Sequence, residues 1–272
     1  MQYVKVTFPV TAEDASDMLT ALLADAGYDG FEEKENELLA YIPTENFDQD
    51  ELDRISGQTG STYTVEQIPE QNWNALWESN FDPVIVGDLC TVRAEFHNIE
   101  VSTPYDIVIT PKMSFGTGHH ATTQLMMLLM KEVSFKDKSV LDFGTGTGVL
   151  AILAELLGAD EVLAIDNDEW SAENARENVA RNHCSRIEVK QGSLEDTGEL
   201  KTDIILANIN RNILLQYMGS LYQKLEADGT ILMSGLLVED EQVIMEAAIG
   251  AGFVFSRILV QGNWIALIFN KI

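Results

Sequence analysis

The sequence predicts an α/β protein in two parts: a mostly parallel sheet flanked by helices and closed by an antiparallel hairpin, behind a small α+β domain. Three observations carry this expectation. The first 68 residues alternate strand and helix periods in the order β-α-β-β-α-β. A buried strand at Val140 breaks into Gly144-Thr145-Gly146-Thr147-Gly148 and then an apolar helix. The chain closes in two strands around Gln261-Gly262. With 272 residues it exceeds the usual single-domain length, so one large core plus a smaller domain is expected. The boundaries read from the sequence are 1–68 for the front domain, 69–88 for a linker helix and connection, and 89–272 for the main domain.

Tyr3 to Phe8 alternates apolar and polar residues as a half-buried strand does. Ala12 to Ala26 places Met18, Leu19, Leu22, Leu23 and Ala26 at helical spacing and is stopped by Gly27. Strands over 28–33 and 37–42 flank the turn Lys34-Glu35-Asn36, and a polar helix over 48–58 and a strand over 62–68 complete a ferredoxin-like order. Trp73 and Trp77 lie four apart on one helical face, as packing anchors of the linker. Residues 81–112 read as short strands.

In the main domain, Ala151–Gly158 reads as an apolar helix and Glu161–Asp166 as a strand ending in a carboxylate. Ser171–Asn182 is a helix with Ala172, Ala175 and Val179 inward, followed by a strand over 187–191 and the turn Gly192-Ser193. A strand over 203–207 ends at Asn208, then come a helix over 213–225, a strand over 230–234 and a helix over 239–250. Strands over 253–260 and 263–270 form the terminal hairpin, which adds an antiparallel strand to an otherwise parallel, Rossmann-like sheet.

Gly144, Gly146 and Gly148 let the backbone turn sharply and approach a ligand with no Cβ in the way. The following helix points its free N–H groups at the same spot. A dinucleotide fingerprint G-x-G-x-x-G/A begun at Gly144 would need a third small residue where Val149 stands. Asp166 ends the next strand, where an acid accepts hydrogen bonds from ribose hydroxyls. Asp166 alone suits either nucleotide, but Asp142, the alternate glycines and Asp166 together favour S-adenosylmethionine. Upstream, Phe115-Gly116-Thr117-Gly118-His119-His120-Ala121-Thr122-Thr123 leads into an apolar helix over 124–133. Glycines before a helix start capped by Thr122 or Thr123 make an anion-ready segment able to fold over the cofactor's carboxylate.

The net charge of −27 is concentrated in front: residues 1–100 hold 21 Asp or Glu against 4 Lys or Arg, residues 101–272 hold 23 against 13. Such a surface repels phosphate backbones and attracts cationic proteins, which argues against naked nucleic acid as a partner and for a basic protein. No apolar run reaches the length of a membrane span, since Ala151 to Ile165 is interrupted by Glu155, Asp160 and Glu161. With no charged leader before an apolar stretch at the amino terminus, the expectation is a cytoplasmic protein, and a monomer. Cys90 and Cys184 match no zinc spacing and are expected as buried small residues; the adjacent His119 and His120 do not share a face, so no metal is expected.

The segments Phe115-Gly116-Thr117-Gly118-His119-x-Ala121-Thr122-Thr123, Leu141-Asp142-Phe143-Gly144-Thr145-Gly146-Thr147-Gly148 and Ala207-Asn208-Ile209 resemble those of the ribosomal protein L11 methyltransferase family. The resemblance spans nearly the whole chain. It implies the class I methyltransferase fold, S-adenosylmethionine as cofactor, and methyl transfer to lysine ε-amines and an amino-terminal α-amine of one basic large-subunit ribosomal protein, docked by the front domain. Thr123, Gly144, Asp166 and Asn208 correspond to the family's cofactor contacts, with Phe115, Gly146 and Ser193 as neighbours. Independently of the resemblance, Asn208 ends a strand at the sheet edge where α/β proteins bind ligands. Its side-chain carbonyl is the candidate to orient a neutral amine, the catalytic role expected here. Competing readings are methylation of another protein; methylation of a nucleic-acid amine or of glutamine, weakened by Asn208-Ile209-Asn210-Arg211 and, for nucleic acid, by the charge; a nicotinamide-dependent oxidoreductase, weakened by Val149; and a non-catalytic protein-binding domain.

Overall fold

Strand β1 (Tyr3–Pro9) buries Val4, Val6 and Phe8 on one face, the alternation its sequence shows. In the computed structural model, which describes residues 3–10, 13–34, 36–68, 81–112 and 114–272, the chain divides into two compact units, Met1–Phe81 and Asp82–Ile272. The first unit continues with α1 (Glu13–Asp25), β2 (Gly30–Lys34), β3 (Glu37–Pro43), α2 (Gln49–Thr59) and β4 (Thr64–Ile68). Its sheet has the order β2-β3-β1-β4 with every neighbouring pair antiparallel, which is the ferredoxin-like arrangement. Leu19 and Leu23 of α1 and Leu52 and Ile55 of α2 are buried over this sheet with Phe8, Leu38 and Ile42. Each such apolar side chain contributes roughly 1.5–3 kcal/mol on burial.

Two details differ from the sequence reading of this unit. Met18, expected inward, is half exposed at 49%, so the apolar stripe of α1 is narrower than its sequence suggests. Helix α2 is mostly polar, yet Leu52 and Ile55, one turn apart, are enough to seat it. Its ends are set by Asp48, whose carboxylate accepts from the Asp50 and Glu51 N–H groups, and by Gly60 at φ +66°. The expected linker helix with Trp73 and Trp77 lies outside the described residues.

The second unit opens with a small sheet: β5 (Val84–Val86), β6 (Cys90–Ala94) and β7 (Tyr105–Ile109), with β5 antiparallel and β7 parallel to β6. Strand β5 thus lies inside the span read from the sequence as connection. There follow α3 (Ala121–Met130), β8 (Ser139–Phe143), α4 (Val149–Leu156), β9 (Glu161–Asp166), α5 (Glu169–Arg181), β10 (Ile187–Gln191), β11 (Thr202–Asn208), α6 (Arg211–Lys224), β12 (Leu225–Leu237), α7 (Glu241–Ala251), β13 (Val254–Gln261) and β14 (Trp264–Asn270). The seven strands of the main sheet run in the order β10-β9-β8-β11-β12-β14-β13. All neighbours are parallel except β14, which lies antiparallel between β12 and β13. The strand order reverses between β8 and β11, which opens a crevice at their carboxyl ends.

Helix α4 is apolar all round because it is buried all round: Val149 to Ala154 have almost no exposed surface. Strand β12 is longer than the predicted 230–234: Leu225 already pairs with Thr202 of β11, the register then shifts, and pairing with β11 resumes at Thr230, where pairing with β14 begins. Helix α3 starts three residues before the predicted 124, and its cap is His120 instead of Thr122 or Thr123. Those threonines lie buried in the first turn. Of the two cysteines, Cys90 is buried as expected and Cys184 is half-buried. No described helix is long and apolar enough to cross a membrane.

Candidate functional site

The glycine loop after β8 is tied to two other segments. The Gly144 and Thr145 N–H groups donate to the Ile165 carbonyl at 2.9 and 3.0 Å, and the Gly146 N–H donates to Asp166 Oδ2 at 2.9 Å. The Thr147 N–H and hydroxyl donate to the carbonyls of Phe115 and Gly116 at 2.9 and 2.7 Å. These bonds need backbone that only glycine adopts without strain: Gly144 sits at φ +78° and Gly146 at φ +56°. A Cβ on Gly144 would lie 2.3 Å from Ile209 Cγ2, and one on Gly146 would lie 2.2 Å from the Phe115 carbonyl oxygen. The sequence suggested that these glycines clear space for a ligand; the structure shows that they also clear space for Ile209 and Phe115.

A cavity of about 680 Å³ opens over this loop at the carboxyl ends of β8, β9 and β11. Of the residues singled out from the sequence, Phe115, Gly144, Gly146, Asp166, Ser193 and Asn208 line it. Two do not. Thr123 is fully buried behind the wall, where its Oγ1 accepts a long 3.4 Å hydrogen bond from Asn208 Nδ2. Asp142, read as a cofactor contact, lies buried under the loop and accepts from the Thr145 hydroxyl at 2.6 Å, so it supports the cradle from below. Burial pushes its carboxyl up to about 7, opposed by the Thr145 hydrogen bond and reinforced by the nearby Asp166 charge.

Asp166 ends β9 with one oxygen on the Gly146 N–H and the other accepting from the Asp168 N–H at 3.0 Å. It is the one carboxylate among the described residues lining the cavity, and no lysine or arginine joins it there. The lining therefore favours a ligand carrying positive charge. Ser193 is committed locally: its hydroxyl lies 2.7 Å from Glu195 Oε2 and its N–H donates to Asp196 Oδ2 at 2.8 Å. Hydrogen bonding from Ser193 holds the Glu195 carboxyl below its ordinary value.

Asn208 has the most suggestive position. Its Nδ2 is engaged by Thr123, while its Oδ1 is buried and has no hydrogen-bond partner. A buried acceptor left unpaired costs about 1–3 kcal/mol, which marks this oxygen, on a residue of the cavity lining, as an atom short of a donor. The orphaned oxygen, the glycine cradle and the single carboxylate together fit a nucleoside-bearing cation.

The sequence reading missed several lining residues, chiefly His120, Tyr217, Gly235 and Trp264. The His120 ring packs edge-on against Phe115, with centroids 5.3 Å apart, and against Trp264 at 4.5 Å. Tyr217 packs on Phe143 at 5.4 Å and donates to Glu195 at 3.2 Å. His120 had a local signal, its place just before a helix start. Trp264 had none, because only the antiparallel insertion of β14, pairing Trp264 with Leu237, returns it to this edge of the sheet.

The sequence profile described as "Ribosomal protein L11 methyltransferase (PrmA)" matches residues 7–272. A protein of Phocaeicola vulgatus named ribosomal protein L11 methyltransferase is 38% identical over 99% of each chain. One of Porphyromonas gingivalis with the same name is 40% identical over 99% of this chain and 98% of its own. Among solved structures, a ribosomal protein L11 methylase of Lactobacillus delbrueckii subsp. bulgaricus superposes with a TM-score of 0.66 at 32% identity, covering 71% of this chain and all of its own.

Proposed function

The chain belongs to the ribosomal protein L11 methyltransferase family, and on that premise we propose that it methylates lysine ε-amines and the amino-terminal α-amine of ribosomal protein L11, using S-adenosylmethionine. The single observation that carries this reading beyond the family is the buried, unpartnered Oδ1 of Asn208 at the cavity wall. Held by Gly144, Gly146 and Asp166, S-adenosylmethionine would supply a methyl group on a sulfonium whose C–S electron pair would remain on sulfur, with the amine's proton lost to solvent.

The protein's task is alignment. Gly144 and Gly146 hold the cradle, and Asp166 offers its remaining lone pairs to ribose hydroxyls. Thr123 accepts from Asn208 Nδ2 and so turns Oδ1 toward the incoming nitrogen. An acceptor on one side of a neutral amine takes one of its N–H bonds and points the lone pair away, toward the methyl carbon. Holding reacting atoms in line in this way supplies a large share of the rate. A lysine amine has a pKa near ~10.4, and desolvation in a cavity shifts it toward the neutral form. In this reading the acidic front unit holds the basic protein substrate by charge, and the reaction takes place in the cytoplasm.

Incubation of the protein with methyl-labelled S-adenosylmethionine and purified L11, followed by peptide mass mapping, tests the proposal. The expected result is mass gains of methyl groups on L11 lysines and its amino terminus. L11 left unlabelled while the cofactor binds would overturn the substrate assignment.

A further inference from the structure

Phe115, His120 and Trp264 form one ring-lined wall of the cavity, packed edge-on against one another at 5.3 and 4.5 Å. The strand order places this wall. Asp166 ends β9, Asn208 ends β11 and Trp264 opens β14, so Asn208 lies two strands from each. At about 4.8 Å per strand, Trp264 starts about 10 Å beyond Asn208, on the side away from the ribose-binding acid; the His120 ring packs on it, and Phe115 closes the wall from the glycine-loop side, where its carbonyl accepts from Thr147. That is where the acceptor enters if the methyl-transfer reading holds, and the present inference rests on that reading.

An alkylammonium head arriving there meets no carboxylate, because Asp166 is the only one lining the cavity among the described residues. What it meets is aromatic. His120 is held within this wall: its Nδ1 accepts from the Thr122 N–H at 3.3 Å and lies 2.7 Å from the Thr122 hydroxyl. The same hydrogen bond caps helix α3, which fixes the ring's position, and the ring contacts lock Phe115 and Trp264 to it. A preformed set of rings attracts a cation through their quadrupoles without needing a counter-charge.

We propose that Trp264, His120 and Phe115 form a subsite for the alkylammonium head of the acceptor side chain, and that this wall selects the amine. It holds the cation as it enters, before the proton leaves, and again after transfer, when the nitrogen carries full charge.

The test compares choline with its uncharged carbon isostere, 3,3-dimethylbutan-1-ol, by NMR titration of the full-length protein. Choline is expected to bind at least fivefold tighter, and Trp264→Leu to abolish the difference. His120→Asn is the second variant, because asparagine preserves the helix cap while removing the ring; it is expected to abolish the preference too. For L11, Trp264→Leu raises KM about tenfold, equivalent to about 1.4 kcal/mol, Trp264→Phe raises it less, and cofactor affinity stays within about twofold. Equal binding of the two isosteres to the unaltered protein, or a preference that survives in both variants, overturns the subsite. A parallel loss of cofactor affinity also overturns it, by assigning the rings to the sulfonium. The choline measurement needs no turnover, so failure of the subsite is separable from failure of L11 as substrate.

Discussion

Asn208 and Thr123, 85 positions apart in the chain, meet through a hydrogen bond from Asn208 Nδ2 to Thr123 Oγ1. With Nδ2 on Thr123, the Oδ1 end of the Asn208 amide is left buried without a partner. Thr123→Val keeps the shape and removes the acceptor, so the amide is free to rotate. A hydrogen bond of this kind is worth about 0.5–1.5 kcal/mol, which predicts a fall in kcat of up to about tenfold. Thr123→Ser should recover most of it in the same steady-state assay.

Asn208→Ala removes the oxygen itself. Loss of a placed acceptor at the reacting centre is expected to lower kcat by about 10²-fold. Thermal stability should stay level or rise slightly, because a buried unpaired oxygen is removed with it. If turnover and cofactor affinity both stay intact, Asn208 does not orient the amine.

Gly146→Ala should be far more damaging than a single methyl suggests. The added Cβ would meet the Phe115 carbonyl oxygen at 2.2 Å, and the backbone there is left-handed at φ +56°. Neither a main-chain oxygen nor that conformation yields without moving the 115–116 segment. A loss of more than about 1–3 kcal/mol in stability is expected, with cofactor binding lost in calorimetry.

Asp142 gives the fold a pH dependence of known sign. Its folded carboxyl is raised to about 7, above the ordinary aspartate value of 3.8, so between those values the native state binds more protons than the unfolded chain. Stability from this group is therefore present at low pH and declines as pH rises from about 4 to about 7. Asp142→Asn removes that decline. Denaturant melts at pH 5 and pH 8 should show the variant gaining on the unaltered protein by a few kcal/mol at the higher pH; an unchanged difference would place the carboxyl elsewhere on the scale.

Charge attraction by the acidic front unit predicts a salt effect confined to the protein substrate. Raising ionic strength from about 50 to about 300 mM should lower kcat/KM for L11 several-fold through screening, with cofactor affinity nearly constant. A flat profile would show that charge does not dock the substrate.

The cradle was legible because it is local: strand, glycine loop, helix and Asp166 form one continuous run, and each residue's conformational preference points the same way. The ferredoxin-like order was legible for a similar reason, since each element carries its own period. Met18 and the start of α3 were misread where neighbours, not spacing, set exposure and capping.

The amino-acid sequence by itself determined the two-part α/β architecture, the alternate-glycine loop and the acid that holds it, because backbone sterics and hydrophobic period act over a few residues. Tertiary structure alone decided that Asp142 supports the loop from beneath, that Thr123 meets Asn208, and that Trp264 joins Phe115 and His120. These depend on strand pairing across the sheet, above all the antiparallel β14, and no local preference encodes which distant residues a closed sheet brings together.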